Sequence, residues 1–136
     1  MKYLFAFLLL LPLVAIAAEP ATPRQSAEAF LTSIQNGDIT NGYERLFAGC
    51  PFPKDKPHEY AQLNSKTQAT IQRFGHVVGF DFIKEEELGP SIVRLVYAQR
   101  FEKQPIIWEF YFYKPKETWI AVSVKLEDNF SLHNPF

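Results

Sequence analysis

The chain has 136 residues, of which 47% are hydrophobic and 21% are charged, and its formal net charge is −1. This length leaves room for one domain, and this hydrophobic content is too high for a disordered chain. The charges are spread without a basic stripe, which argues against a nucleic-acid partner. Thirteen Phe and six Tyr residues are the feature that the fold has to explain.

Residues 1–18 predict a secretory signal peptide that is cleaved after Ala17 or Ala18. Lys2 supplies the positive n-region, residues 4–16 form an apolar run, and small residues follow at the cleavage site. The run is shorter than the roughly 20 apolar residues that span a bilayer, so we expect no membrane attachment after cleavage. The protein is therefore expected to be exported, either periplasmic or secreted. An uncleaved anchor is the alternative.

Cysteine and histidine usage excludes two kinds of site. Cys50 is the only cysteine, so no internal disulfide forms, and its thiol is either buried or open to intermolecular pairing. His58, His76 and His133 are too far apart in sequence to build a zinc site with one another. We therefore expect no metal and no cofactor.

The first half of the mature chain is predicted to be helical. A leader covers residues 19–25, and a single domain covers residues 26–136. Apolar residues recur at helical spacing, and Gly37 and Gly75 supply helix ends. Residues 50–57 hold three prolines, which lack a backbone donor, so a stiff loop without helix is expected there. The three helices are predicted over about residues 24–36, 39–48 and 57–74.

From His76 onward the apolar period changes from 3.6 to 2, which indicates strands. Short breaks with Gly, Pro and Lys separate the segments, so neighbouring strands should pair antiparallel. Gly79 is expected to mark a bulge or bend. The fold class is therefore α+β, with three N-terminal helices packed on a curved four-stranded antiparallel sheet. The strands are predicted over about residues 76–86, 91–102, 106–114 and 119–127.

Alternation along each strand predicts one apolar face that the helices cover. Its rows are predicted as Val93, Leu95, Tyr97, Gln99 and Phe101, then Trp108, Phe110 and Phe112, then Ile120, Val122, Val124 and Leu126. In the first strand, Phe80 and Phe82 are expected to face the same side.

Two motifs carry a resemblance to a known family. They are Ser26 to Leu31 followed by Asn36-Gly37-Asp38, and the aromatic strand from Trp108 to Pro115. Together with the order of elements they resemble the nuclear transport factor 2-like, or cystatin-like cone, superfamily, and in particular its small secreted members without an assigned activity. The resemblance implies helices that close over one sheet face, often leaving a pocket, while the other face often forms a dimer.

Enzymes of this superfamily place a carboxylate base and polarising acids inside the cone. This chain departs from that pattern, because the inward rows of its last three strands carry no carboxylate before Asp128. The resemblance therefore implies a fold but no reaction.

The inward face predicts a ligand pocket lined by rings. Gln99 is the one polar residue without a ring in its row, and a buried amide needs hydrogen-bond partners. A small apolar ligand held by a few polar anchors is the functional interpretation. The alternative is that the polar groups satisfy one another. The predicted ligand-binding residues are Tyr43, Tyr60, Tyr97, Gln99 and Trp108.

The opposite face predicts a protein interface. It carries an aromatic patch surrounded by charged residues, a composition that is typical of protein interfaces. The predicted partner is a second copy of the chain, which would form a homodimer. The alternative is a solvated face on which strands tolerate aromatic residues. The predicted interface residues are Arg94, Arg100, Ile107, Glu109, Tyr111, Tyr113, Trp119 and Lys125.

The sequence thus predicts an exported, non-catalytic binding or protein-interaction module that dimerises through its sheet and holds a small apolar ligand in the cone. The alternative is a lyase or isomerase of the ketosteroid isomerase or scytalone dehydratase type. In that case Tyr97 and Gln99 would polarise a carbonyl, with Asp81 or Asp128 as the base. An inhibitor that acts through the stiff loop at residues 50–57 is a third hypothesis.

Overall fold

The computed structural model describes residues 19–128, in which a helical half is followed by a four-stranded antiparallel sheet in the order β1-β2-β3-β4. The predicted α+β class and the meander of strands are confirmed. The predicted signal peptide lies outside the described residues. The helices are α1 Pro23–Gln35, α2 Ile39–Leu46, α3 Phe52–Asp55 and α4 Pro57–Phe74, and the strands are β1 Val77–Glu87, β2 Ile92–Phe101, β3 Pro105–Tyr113 and β4 Ile120–Glu127.

The first helix begins inside the segment that was predicted as a leader. The Thr22 hydroxyl accepts from the backbone N–H of Gln25 at 3.2 Å, and the Gln25 side chain accepts from the N–H of Thr22 at 3.0 Å. This reciprocal pair fixes the helix start, and Pro23 suits the first turn because its missing donor is not needed there. The leader therefore ends at Thr22.

The proline-containing loop includes a helix that the sequence did not predict. The N–H groups of Lys54 and Asp55 donate to the carbonyl of Pro51 at 3.0 and 2.9 Å, which closes a single helical turn, α3. Prolines disrupt a helix interior but are tolerated in its first turn, where Pro53 lies. The expectation of a loop without helix was therefore wrong, and within residues 19–128 four helices stand before the sheet.

The sheet register explains which side chains face the helices. Strands β2 and β3 pair without interruption, with Tyr97 opposite Trp108. Their predicted inward rows are buried as expected. The register of β1 shifts between Val77 and Gly79, where an irregularity was predicted, and again between Phe82 and Lys84.

In β4 the predicted alternation is wrong near the start of the strand. Phe112 pairs with Ala121 while Tyr111 pairs with Ser123, so Val122 is the extra residue of a bulge. Ala121 is consequently buried at 1% exposure, and Val122, which was predicted to face inward, is 39% exposed. A shift of one residue moves every preceding side chain to the other face.

Phe30 of α1 lies at the centre of the core. Its ring meets Trp108 edge-on at 5.2 Å between centroids and Phe110 at 5.7 Å, and it lies 4.8 Å from the ring of Tyr43. These contacts join α1, α2 and β3 through one side chain. Helix α4 contributes less apolar surface, because its buried residues are Thr67, Thr70 and Phe74.

Candidate functional site

Both polar atoms of the Gln99 side chain have a hydrogen-bond partner inside the core. Its amide Nε2 donates to the carbonyl of Leu31 at 3.0 Å, and its Oε1 accepts from the indole Nε1 of Trp108 at 2.9 Å. These two bonds tie β2 to α1 and to β3. Because the amide is used for packing, neither Gln99 nor Trp108 offers a free polar group to a ligand.

Tyr43 is likewise buried and partnered. Its hydroxyl lies 2.7 Å from Oγ1 of Thr67, and the Thr67 hydroxyl in turn donates to the carbonyl of Leu63 at 2.9 Å. Since Thr67 has one proton to give, Tyr43 is the donor of the pair. Burial raises the pKa of Tyr43, which keeps the hydroxyl protonated. The contact holds α2 against α4.

Tyr97 reaches the rim of the helix layer rather than a closed pocket. Its hydroxyl donates to Oε1 of Glu28 at 3.0 Å, and Arg24 lies 3.5 Å from the same carboxylate oxygen. Burial, reinforced by the hydrogen bond to Glu28, raises the pKa of Tyr97 to about 12. Arg24 also covers the ring of Phe82, with its guanidinium carbon 4.1 Å from the ring centroid.

Tyr60 packs against Tyr43 at the edge of the core. Its ring meets Tyr43, Phe47 and Phe52 edge-on, with centroids 6.4, 6.3 and 6.1 Å away, and its hydroxyl is buried beside the side chain of Asn64. Burial raises the pKa of this hydroxyl. Of the five predicted ligand residues, Tyr60 lines a surface cleft, and the polar groups of the other four are bonded within the protein.

Tyr60 forms part of a surface cleft of about 540 Å³, which we call the proline cleft. The cleft lies where the chain passes from α2 through α3 into α4, and Cys50 lines it. The cleft was not predicted from the sequence, because residues 50–57 were interpreted as a stiff loop whose one proposed role was the contact surface of an inhibitor. Its lining consists of Glu44, Phe47, Gly49, Cys50, Pro51, Pro53, Lys54 and Tyr60.

The sheet face away from the helices carries a network of charges. Arg94 Nε donates to Glu109 Oε1 at 2.7 Å, the Tyr111 hydroxyl donates to the same oxygen at 2.6 Å, and Arg94 also lies 3.3 Å from Glu86. The hydrogen bond from Arg94 holds the pKa of Glu109 below its usual range. The carboxylate of Glu109 raises the pKa of Tyr111. Lys125 lies 5.7 Å from the Tyr111 ring centroid.

The remaining predicted interface residues divide into exposed and covered ones. Tyr113 is 40% exposed, and Arg100 pairs at the surface with Asp81 at 3.3 Å. Ile107, however, is only 6% exposed. Trp119 packs against the core cluster with Lys114 5.0 Å from its ring, because the β4 bulge changes the alternation on which its outward placement depended.

One exposed apolar residue of this face was missed by the sequence analysis. Ile92 is 37% exposed and pairs directly with Tyr113 across β2 and β3. Ile92 lies two residues before Arg94, on the same face of β2, so continuing the outward row by one position would have predicted it. We call Ile92, Tyr111 and Tyr113 the tyrosine patch.

Of the two carboxylates proposed as an isomerase base, Asp81 lies away from the interior. Asp81 is exposed beside Arg100, and the backbone carbonyl of Asp128 accepts from the Gln104 side chain at 3.0 Å. Within residues 19–128, no group of three or more His, Cys, Asp and Glu side chains is placed to hold a metal ion. No helix in this range combines the length and apolar character that a membrane span requires.

Four helices laid on one face of a four-stranded antiparallel meander define a two-layer α+β domain with the geometry of a cone. The chain has a nuclear transport factor 2-like (NTF2-like) fold. It superposes on the crystal structure of a candidate NTF2-like transpeptidase from Campylobacter jejuni with a TM-score of 0.59 and 14% sequence identity, over 76% of this chain and 99% of that one. No protein-family model and no curated protein sequence matches the chain.

Proposed function

We propose that this protein is an exported, non-catalytic NTF2-like domain that works by binding, and that it pairs with a second copy of itself through the outer face of its sheet. The observation that carries the proposal is the tyrosine patch. Ile92 and Tyr113 are neighbours across two strands and expose 37% and 40% of their surface, beside the half-buried ring of Tyr111. Aromatic residues surrounded by charged ones are typical of protein interfaces.

The charges beside the patch support a contact that a second copy would cover. Arg94 and Glu109 are paired within one chain, so burying them in a dimer would not leave either charge without a partner. A two-fold axis through the patch would place the same residues against each other. The ion pair of Arg94 and Glu109 would then lie at the edge of an interface whose centre is aromatic.

Light scattering of the purified protein at high micromolar concentration tests the pairing. We expect a dimer for the native protein and a monomer for Tyr113→Glu, because two added carboxylates would face each other across the axis. Thr40→Glu makes the same addition of charge on the exposed surface of α2 and should leave the dimer intact. A native protein that is strictly monomeric at this concentration would contradict the proposal.

A catalytic role of the lyase or isomerase type has less support. Among residues 19–128, the carboxylate that contacts Tyr97 is Glu28, and it is also held by Arg24. Gln99 has both ends of its amide bonded to the protein. A general base must reach a substrate proton, and the polar groups of Glu28 and Gln99 are already bonded within the protein.

Export depends on the predicted signal peptide at residues 1–18. Expressed in a bacterial host, the full chain should be recovered outside the cytoplasm and shortened by the mass of those residues. A chain that begins at Glu19 after an initiating Met should remain in the cytoplasm. Recovery of the full chain at its unshortened mass would contradict cleavage.

A further inference from the structure

We infer that a groove beside β4 is the docking site of the chain segment that follows this strand, residues 129–136, and that the segment adds to the open edge of the sheet as an antiparallel strand. The inference goes beyond the proposed pairing and does not depend on it. It joins the geometry of the groove to the sequence of a segment that lies outside the described residues.

Two cavities meet along the open edge of β4. The larger one, of about 450 Å³, follows residues 124–127, and the smaller one, of about 100 Å³, follows residues 122–124. Leu63 of α4 and Val124 line both, so the two cavities are continuous. Helix α4 packs chiefly against α2 and α3, which leaves this space between the helix and the strand. We call the space that Phe52, Leu63 and residues 122–127 border the β4 groove.

The two edges of the sheet differ in how they are protected. Strand β1 has two register shifts and a charged run from Lys84 to Glu87, and such features keep an edge strand from pairing with another chain. Strand β4 has its register shift at Val122, and residues 123–127 pair regularly with β3. Within residues 19–128, no strand pairs with its other side. A row of backbone donors and acceptors at a sheet edge is matched by an extended chain.

The segment starts at one end of this groove. Asp128 follows β4 directly, and its carbonyl accepts from the side chain of Gln104 at 3.0 Å, which holds the end of the strand beside the start of β3. Asp128 and Asn129 are residue types that favour turns. A chain that turns here and runs back along β4 covers about 3.3 Å per residue, so residues 130–136 can follow the whole groove.

The sequence of the segment matches the two walls of the groove. Phe130 and Leu132 alternate with Ser131 and His133, so an extended chain directs the two apolar side chains to one side and the two polar side chains to the other. The groove has an apolar wall on its helix side and a charged wall on the outer side of the sheet. The apolar wall consists of Phe52, Leu63, Val124 and Leu126, and the charged wall consists of Glu109, Lys125 and Glu127.

Amide hydrogen exchange, followed by NMR in the purified protein, tests the docking. The variant Phe130→Ser with Leu132→Ser removes both apolar contacts of the segment. In this variant we expect the amides of β4 that do not bond to β3 to exchange about tenfold faster, because they lose their hydrogen bonds to the segment. Unchanged chemical shifts of α1 show that the variant is folded.

Ser131→Ala with His133→Ala is the matched control, since it changes two side chains of the same segment on its polar side. The same amides of β4 should exchange in this control at the native rate. In the native protein, a nuclear Overhauser contact between the methyl groups of Leu132 and Leu63 should report the contact directly.

The inference is overturned if these amides of β4 exchange equally fast in the native protein and in the Phe130→Ser, Leu132→Ser variant. Protection that persists in this variant and rises with protein concentration would assign the groove to a second copy, which also overturns it. Light scattering on the same samples keeps the two proposals apart. A dimer whose β4 is unprotected contradicts the docking alone, and a monomer whose β4 is protected contradicts the pairing alone.

Discussion

Gln99 joins three elements of the protein through one buried side chain. Its amide donates to the main chain of α1 and accepts from the indole of Trp108 on β3, so both ends of the group are satisfied. In a low-dielectric core such a group fixes geometry, because a buried polar atom that loses its partner is costly. Among residues 19–128, the interior of the cone is filled by its own side chains at this point.

We predict that Gln99→Leu lowers the free energy of unfolding by about 2 kcal/mol, because the indole N–H and the Leu31 carbonyl lose their partners in the core. Urea denaturation followed by tryptophan fluorescence measures the change. The double variant Gln99→Leu with Trp108→Phe removes the unpaired donor and should lose less than the sum of the two single variants. Additive losses would contradict the role of the bond.

The ion pair of Glu109 predicts how stability depends on pH. Arg94 lowers the folded-state pKa of Glu109 below its ordinary value of 4.5, so the unfolded chain binds the proton more readily. The stabilisation that the ion pair gives is complete above the ordinary pKa of 4.5. It is lost as the pH falls through the lower pKa of Glu109 in the folded state. The difference in urea midpoint between the native protein and Glu109→Gln should therefore shrink between neutral pH and about pH 3.

Glu117→Gln, on the exposed turn between β3 and β4, is the matched control for this titration. Its urea midpoint should follow that of the native protein over the whole pH range. A constant difference between the native protein and Glu109→Gln at every pH would show that the pair does not depend on the charge of Glu109.

Part of this residue-scale account could be predicted from the sequence. The position of Gln99 in an apolar row already indicated a buried amide in need of partners. Those partners could not be predicted, because Leu31 contributes a backbone carbonyl and Trp108 had been interpreted only as a ring. The burial of the Tyr60 hydroxyl could not be predicted, because it depends on how α4 packs against α2 and α3.

At the scale of elements, α1 and α2 approach each other at a glycine. A Cβ placed on Gly42 would lie 2.9 Å from Cβ of Ser33, which is too close for two carbon atoms. Arg45 closes the same contact by donating to the Ser33 hydroxyl at 2.8 Å. The absence of a side chain at Gly42 therefore permits the pairing of the two helices.

Gly42→Ala should destabilise the protein by about 1 to 3 kcal/mol through forced separation of α1 and α2, a cost that exceeds the gain in helix propensity. Thermal unfolding by circular dichroism measures it. Thr40→Ala, an exposed position of the same helix, should be near neutral. If Gly42→Ala raised the melting temperature, the close approach would not be limiting.

The strands show where sequence periodicity succeeds and where it fails. The inward rows of β2 and β3 were predicted correctly, because these two strands pair with each other without interruption. The bulge at Val122 reversed the prediction for the start of β4, including Ala121 and Trp119. A bulge adds one residue without changing composition, so alternation alone cannot locate it.

At the scale of the whole molecule, the aromatic residues divide between two environments. Phe30, Trp108 and Phe110 build the core, whereas Tyr111 and Tyr113 lie on the outer face. The sequence predicted this division and the fold class. It could not predict that Tyr43, Gln99 and Trp108 would bond within the core, because that depends on how side chains from different elements meet.

The central claim is that the protein binds through the outer face of its sheet. A dilution series of amide nitrogen NMR spectra, from about millimolar to low micromolar protein, tests it most directly at concentrations where weak dimers dissociate. We predict concentration-dependent shifts for Ile92, Arg94, Tyr111, Tyr113 and Lys125, with unchanged signals on the exposed side of α4. Spectra that do not change with concentration, or that change only in the helices, would contradict the claim.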